Sequence, residues 1–259
     1  MLLAMDVGNT NIVVGVYDRQ QLVASGRIST HSPRTVDEYA ITLGGLLDRL
    51  GVPPASVMRI LIASVVPKAT AGVVAALRGI CRPRPRVVGE GGLRAPIRNR
   101  YRDPAQVGQD RLVNAVAARK KYGAPVLILD FGTAITVDLV SARGAYEGGM
   151  IAPGLEISLE ALATRAALLP RIELTAPRVV LGRDTASSIL SGVVYGYGAL
   201  CDGLVTKLKA AAKIRRPKGV PVVATGGHAP FIAPYCRTVT HVDPTLTLDG
   251  LALIAATLD

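Results

Sequence analysis

Short apolar runs broken by acids and glycines open the chain. Leu2-Leu3-Ala4-Met5 ends in Asp6, Gly8 and Asn9, and the β-branched run Ile12-Val13-Val14-Gly15-Val16-Tyr17 follows at once. Two such runs around a Gly/Asn turn predict a hairpin, with Leu22 to Ile28 as a third strand after the turn at Asp18 to Gln21. The pattern then changes period. Thr35-Val36-Asp37-Glu38 is a capping-box signature, and Val36, Tyr39, Ala40, Leu43, Leu47 and Leu50 fall at helical spacing before Gly51 and Pro53 close the helix. Ile60-Leu61-Ile62-Ala63-Ser64-Val65-Val66 reads as a buried strand stopped by Pro67.

The opening pattern is written again downstream. Val126-Leu127-Ile128-Leu129 ends in Asp130, Gly132 and Thr133 follow, and Ile135 to Val140 makes the return strand. Asp6 and Asp130 lie 124 residues apart. A turn at Ser141 to Gly144 leads on toward Gly148-Gly149-Met150-Ile151, and the chain closes with Val222-Val223-Ala224, Thr225-Gly226-Gly227, a strand over Thr238 to Val242 and a helix from Leu248. The expected fold is therefore α/β: duplicated lobes with mixed sheets flanked by helices on both faces and a cleft between them. The helix Gln109 to Tyr122 joins the lobes, so the boundary falls between Tyr101 and Pro125, with lobes at 1–115 and 116–259.

Composition removes several classes of function. With 49% hydrophobic and 19% charged residues the chain can bury a core, which excludes a disordered protein. The net charge of +11 suggests nucleic acid, but it is local: Arg78 to Arg102 carries eight arginines against Glu90, and Gly203 to Lys218 carries Lys207, Lys209, Lys213, Arg215, Arg216 and Lys218 with no acid. Tyr101 is the single aromatic of the first stretch, which leaves little to stack bases on, so no nucleic acid is expected and the charge reads as a solvated surface or a field that steers small anions. Cys81, Cys201 and Cys236, and His31, His228 and His241, sit at no metal-ligand spacing. The longest uncharged window, Gly219 to Cys236, is broken by Pro221, Pro230 and Pro234, and no basic region precedes the N-terminal apolar run. These features predict no membrane span and a cytoplasmic protein.

The chemistry is expected at the two acid-glycine turns. In Asp6-Val7-Gly8-Asn9-Thr10 a tight turn presents successive backbone N–H groups, and glycine lets a phosphate oxygen come close where a Cβ would collide. The aspartate cannot bind phosphate itself but can hold Mg²⁺ or its water beside it. Asp130-Phe131-Gly132-Thr133-Ala134 repeats the arrangement. None of the seven lysines is followed by Ser or Thr, so no P-loop exists, and no G-x-G-x-x-G opens a helix. A third group, Gly108-Gln109-Asp110-Arg111, begins a helix. Asp110 there reads as a cap, whereas Arg111 opposes the helix dipole and suggests a nearby anion.

Taken in order, Asp6 to Ile12, Gly108 to Arg111, Asp130 to Ala134, Gly148 to Gly154, Gly182 to Thr185, Thr225 to Gly227 and Asp243 to Gly250 resemble type III pantothenate kinases, of the actin-like superfamily that includes acetate and sugar kinases. The resemblance implies transfer of the ATP γ-phosphoryl group to the hydroxyl of pantothenate, giving 4′-phosphopantothenate for coenzyme A. It implies that Asp6, Val7, Gly8, Asn9, Thr10, Asn11, Ile12 and Val13 form the ATP phosphate loop, with Asp6 near Mg²⁺ and Thr133 touching ATP from the second lobe. By the same resemblance Asp110 is the proton acceptor, and Tyr101, Gly108, Gln109, Asp110, Arg111 and Thr185 hold pantothenate. The same resemblance implies that Asp130 serves a K⁺ or NH₄⁺ site and that the enzyme is a homodimer. A carboxylate base suits phosphoryl transfer, where the base orients the hydroxyl and takes its proton late, and Arg111 can meet the pantothenate carboxylate through two parallel hydrogen bonds. Two aspartates facing one cleft would repel without cations, a physical reason to expect metal there. Two other readings compete: a kinase or phosphohydrolase of the same fold acting on another small substrate, and a non-catalytic nucleotide-binding regulator. His228 stands after Gly226-Gly227 where an aliphatic is expected and reads as packing, and Asp184 stands before Thr185 where an amide is expected.

Overall fold

A computed structural model describes residues 1–30, 34–214 and 219–258; His31 and the basic residues Arg215, Arg216 and Lys218 lie outside them. Contacts divide the chain into two compact units, Met1–Ala117 with Leu246–Asp259, and Ala118–Thr245.

Unit 1 is built on a sheet of β1 (Leu2–Val7), β2 (Asn11–Asp18), β3 (Gln21–Ser29), β4 (Arg59–Ser64) and β5 (Arg86–Val87). The spatial order is β3-β2-β1-β4-β5, antiparallel across β1, β2 and β3 and parallel across β1, β4 and β5. β1 is central, so both of its faces are buried. Leu3, Met5 and Val7 point into a core with Tyr39, Leu43 and Leu47 of helix α1 (Val36–Arg49) and Val73 and Leu77 of α2 (Pro67–Ile80). Leu2 and Ala4, one residue out of phase, pack on the other face with Val113 and Val116 of α3 (Gln109–Tyr122), which runs on into unit 2. The expected capping box starts α1: Glu38 N–H donates to Thr35 Oγ1 at 3.2 Å and Thr35 N–H to Glu38 Oε2 at 2.7 Å. Pro67 ends a strand but also opens α2 at its first turn, where a missing N–H costs nothing.

Unit 2 repeats the sheet. β6 (Val126–Phe131), β7 (Ala134–Val140), β8 (Tyr146–Pro153), β9 (Val222–Thr225) and β10 (His241–Val242) lie in the order β8-β7-β6-β9-β10 with the same pattern of parallel and antiparallel neighbours. Even the irregularities correspond: a register shift falls at Val16/Tyr17 of β2 and at Leu139/Val140 of β7. Leu127, Leu129 and Phe131 meet Val194, Tyr197, Cys201 and Val205 of a long helix, α5 (Thr185–Ala211), which α4 (Leu155–Arg165) precedes. By length and composition α5 could cross a membrane, yet here it supplies much of the unit 2 core. A short helix, α6 (Ala229–Ile232), follows β9.

The last helix, α7 (Leu246–Ala255), belongs to unit 1, whereas the expected lobe boundary puts everything after residue 115 in the second lobe. Its Leu248 and Leu251 pack on Leu2, Ala4 and Tyr17, and Tyr17 Oη donates to Asp249 Oδ1 at 2.6 Å. Gly250 accommodates the approach, since a Cβ there would stand 2.5 Å from the Val113 carbonyl oxygen.

Candidate functional site

In unit 1 the first turn closes where β1 meets β2. Gly8 N–H donates to the Asn11 carbonyl at 3.0 Å, and the Thr10 carbonyl accepts from Thr30 N–H at 2.9 Å. Asp6 is half-buried and level with Val13 on one side and Ala63 on the other. The end of β1 is braced from the next crossover: Val65 N–H donates to the Val7 carbonyl at 3.2 Å, and Ser64 Oγ reaches the same oxygen at 3.4 Å.

The start of α3 is drawn to this end of the sheet. A Cβ on Gly108 would lie 3.4 Å from Val65 Cγ1 and only 2.4 Å from Asp110 Oδ1, so glycine is what lets the Asp110 carboxylate fold back over the helix start. That oxygen accepts the Arg111 N–H at 2.8 Å. Gln109 packs against Gly89, whose φ of +95° demands glycine. Arg111 is buried at 7% exposure, which removes its charge from bulk water and strengthens any pairing it makes. Tyr101 is half-buried, on a segment shaped by side-chain bonds: its N–H donates to Asn99 Oδ1 at 3.0 Å, Asn99 Nδ2 donates to the Pro104 carbonyl at 3.3 Å, and Asp103 caps the turn that follows. Asp6 to Val13, Tyr101 and Gly108 to Arg111 are therefore all features of unit 1, and Val65 links the β1 end to the α3 start.

In unit 2 the second turn is one residue tighter, with Gly132 N–H donating to the Ala134 carbonyl at 3.2 Å. Two glycines clamp it. Gly154 N–H donates to the Thr133 carbonyl at 3.1 Å, and a Cβ on Gly154 would stand 2.3 Å from that oxygen. Gly226, at φ +89°, lies so close to β6 that a Cβ would stand 2.4 Å from Asp130 Oδ1. Asp130 is half-buried and Thr133 is exposed. His228 joins this clamp: its N–H donates to the Phe131 carbonyl at 3.1 Å, and its Nε2 lies 3.2 Å from Glu156 Oε1 at the start of α4. The residue expected to pack thus carries polar links to both sides of the turn.

Thr185 is exposed at the first turn of α5, and Asp184 has a local reason to be acidic. It is the N-cap, accepting from Ser187 N–H at 2.8 Å and from Ser187 Oγ at 2.8 Å, and these bonds hold its carboxyl below the usual aspartate range. Thr185 lines an open groove of about 960 Å³ between α4 and α5, with Leu162, Ser188, Ile189, Tyr197 and Leu200. Tyr197 ties the groove to the clamp, its hydroxyl donating to the Pro153 carbonyl at 3.0 Å. The groove went unread in the sequence because the glycines of α5 at 192, 196, 198 and 203 hide its helical period. Among the described residues no three of His, Cys, Asp or Glu come together as a metal cage, and the three cysteines are buried and free.

A model of the type III pantothenate kinase family matches residues 2–207. A type III pantothenate kinase of Geobacter sulfurreducens is 44% identical over 254 residues, 98% of each chain, and one of Desulfosudis oleivorans is 45% identical over 260 residues and the full length of both. Among solved structures, one from Campylobacter jejuni described as a candidate Baf family transcriptional activator aligns at TM-score 0.62 and 16% identity over 98% of each chain. One from Sinorhizobium meliloti described as a candidate 2-dehydro-3-deoxygalactonokinase aligns at TM-score 0.62 and 13% identity over 100% of this chain and 99% of its own. At such identities these two bear on the fold.

Proposed function

The chain belongs to the type III pantothenate kinase family, and from that premise we propose that it is an ATP-dependent pantothenate kinase, making 4′-phosphopantothenate at the first step of coenzyme A biosynthesis. The observation that carries the reading onto this chain is the pair of acid-glycine turns, each closing the central hairpin of one of two topologically equivalent sheets.

In this reading Asp6 to Val13 hold the ATP phosphates on backbone N–H groups, and Thr133 reaches the nucleotide from the second turn. Tyr101, Gly108 to Arg111 and Thr185 hold pantothenate, with Arg111 opposite its carboxylate. Asp110 accepts the hydroxyl proton as the oxygen meets the γ-phosphorus, its carboxylate held over the helix start by the Arg111 N–H on Oδ1. In-line displacement then places the negative charge on ADP. A single carboxylate beside a phosphate-binding turn fits Mg²⁺, which keeps waters and shares phosphate oxygens instead of sitting in an all-protein cage, so Asp6 would hold it and the ion would neutralise phosphate charge. Asp130, a half-buried carboxylate pressed against Gly226, would supply an oxygen to K⁺ or NH₄⁺.

The α4–α5 groove favours a homodimer. Leu168 and Leu181 beside it are 93% and 76% exposed, and Leu162 and Leu200 are partly so, an apolar run that a second copy would cover. A cytoplasmic location fits an enzyme that draws on ATP and pantothenate. Arg94, Arg98, Arg100 and Arg102, on the segment around Tyr101, would steer both anionic substrates inward. The test is a coupled ADP-release assay of pantothenate against a panel of other small alcohols. Release with pantothenate at far higher kcat/KM supports the reading; release with another alcohol instead, or with water alone, replaces it.

A further inference from the structure

Two contacts fasten α5 to the short 3-10 helix Ala233–Tyr235 and the residues after it, and a pair of cysteines lies between those contacts. On one side a Cβ at Gly198 would overlap the Tyr235 carbonyl, so glycine lets the two helices close on each other. On the other side Asp202 Oδ2 accepts the Arg237 N–H at 2.9 Å, and its Oδ1 accepts the Thr238 N–H at 2.8 Å and the Thr238 hydroxyl at 2.7 Å. Cys201 shares the helix face of Gly198 and Asp202, and Cys236 stands between Tyr235 and Arg237. Both cysteines are buried in one apolar cluster with Val205, Ile232 and Ala233.

The two thiols are placed as donor and acceptor. Cys236 Sγ lies 3.6 Å from the Ile232 carbonyl, to which its S–H donates, and the Cys201 thiol donates to the Cys236 sulfur. That bond raises the Cys201 thiol above its usual range, with burial adding to the effect, and lowers the Cys236 thiol. Cys236 is also the one that solvent touches: it is 8% exposed against 0% for Cys201, and exposed Arg237 follows it. Cys81 lies apart, in the core of unit 1, where burial raises its thiol.

We propose that Cys201 and Cys236 form a reversible oxidation site, which peroxide closes to a disulfide within the folded unit 2 and small thiols reopen. The Cys236 thiolate attacks one oxygen of hydrogen peroxide. The S–O bond forms, the O–O bond breaks, and the departing hydroxide takes up the proton that the thiol gave, leaving as water. The sulfur is oxidised by two electrons to a sulfenic acid as the peroxide is reduced. The Cys201 sulfur then attacks it; the S–S bond forms, the S–O bond breaks, and the Cys201 proton leaves with the hydroxyl as a second water. The closed ring of chain carries β9, the Gly226 to His228 turn and α6, so the disulfide ties α5 to the segment that clamps the second turn. Against a reducing thiol pool it is a transient state and not a permanent staple.

The test treats the folded protein with hydrogen peroxide at neutral pH, quenches with catalase, alkylates in denaturant and maps the thiols by mass spectrometry. The parent is expected to yield a Cys201–Cys236 link with Cys81 alkylated, and dithiothreitol to restore all three thiols. The two serine variants should differ. Cys201→Ser stops at a Cys236 sulfenic acid that dimedone captures, whereas Cys236→Ser leaves Cys201 unlabelled. The disulfide should raise the parent's melting temperature by roughly 5–10 °C, an increase that dithiothreitol removes. Circular dichroism checks that each variant is folded, and Cys→Ala replaces a serine variant that is not. Absence of the link in the parent, a link to Cys81, equal dimedone capture at Cys201 and Cys236, or a melting temperature lowered by oxidation overturns the proposal.

Discussion

Gly226→Ala isolates the clamp on the second turn, and Gly227→Ala beside it is the control. Gly226 holds φ +89°, and an added Cβ would stand 2.4 Å from Asp130 Oδ1 and 2.8 Å from the Phe131 nitrogen and carbonyl carbon. Alanine in the left-handed region costs ~1–2 kcal/mol. The overlap adds a comparable amount, ~1–3 kcal/mol for overpacking, because Phe131 sits in a central strand, is fully buried and already accepts the His228 N–H. Together these predict a loss of ~2–5 kcal/mol, which at ~2–4 °C per kcal/mol lowers the melting temperature by roughly 4–20 °C. Around Gly227 nothing lies within 4 Å of the added methyl, so Gly227→Ala should fall within ~0.5 kcal/mol of the parent, as open surface substitutions do. Thermal melts of both variants give the stability term. Initial rates with ATP varied give the functional one, and Gly226→Ala should raise the KM for ATP more than that for pantothenate because the displaced atoms belong to Asp130 and Phe131. A Gly226→Ala protein that melts within ~2 °C of the parent with an unchanged KM for ATP would refute the reasoning.

Two further perturbations probe other parts of the account. Burial alone would raise the Asp243 carboxyl, yet Lys121 Nζ at 2.5 Å and Tyr122 Oη at 2.8 Å hold it below its ordinary value of 3.8. Asp243→Asn should cost ~1–3 kcal/mol at neutral pH, less than for a sealed ion pair because Lys121 is 34% exposed and keeps some water. Because the folded-state pKa is the lower one, the parent's advantage is complete above the unfolded carboxylate pKa and disappears as pH falls through the folded value; urea titrations that show the gap widening in acid would contradict this. Exchange of K⁺ for Na⁺ should depress turnover sharply if Asp130 serves a monovalent cation, and equal rates in both salts would remove that site.

The residues that made the fold legible are those whose period is clean. β1, β2, β6 and β7 are short apolar runs, β1 and β6 each running into an aspartate and a glycine, and Thr35 with Glu38 announces α1. Both turns, and the helix carrying Asp110, could be read for the same reason. Pro67 concealed α2, since a proline after an apolar run ends a strand and opens a helix equally well. The glycines of α5 concealed a helix of 27 residues, and with it the groove and the N-cap role of Asp184. The attachment of α7 to unit 1 rests on Leu248, Leu251 and Asp249 meeting residues more than 200 positions earlier, which no local pattern can reveal. The clamps at Gly154 and Gly226 are tertiary in the same sense: the glycines are visible, but the backbone atoms that require them are not.

The most direct test measures pantothenate-dependent ADP release by the parent and by Asp110→Asn, with pantothenate binding followed by calorimetry in both. Asparagine keeps an oxygen to accept the Arg111 N–H but cannot take the substrate proton, so turnover should fall by about 10²–10⁴-fold while pantothenate still binds. Turnover of Asp110→Asn within a few-fold of the parent, or no pantothenate-dependent release by the parent, would contradict the account.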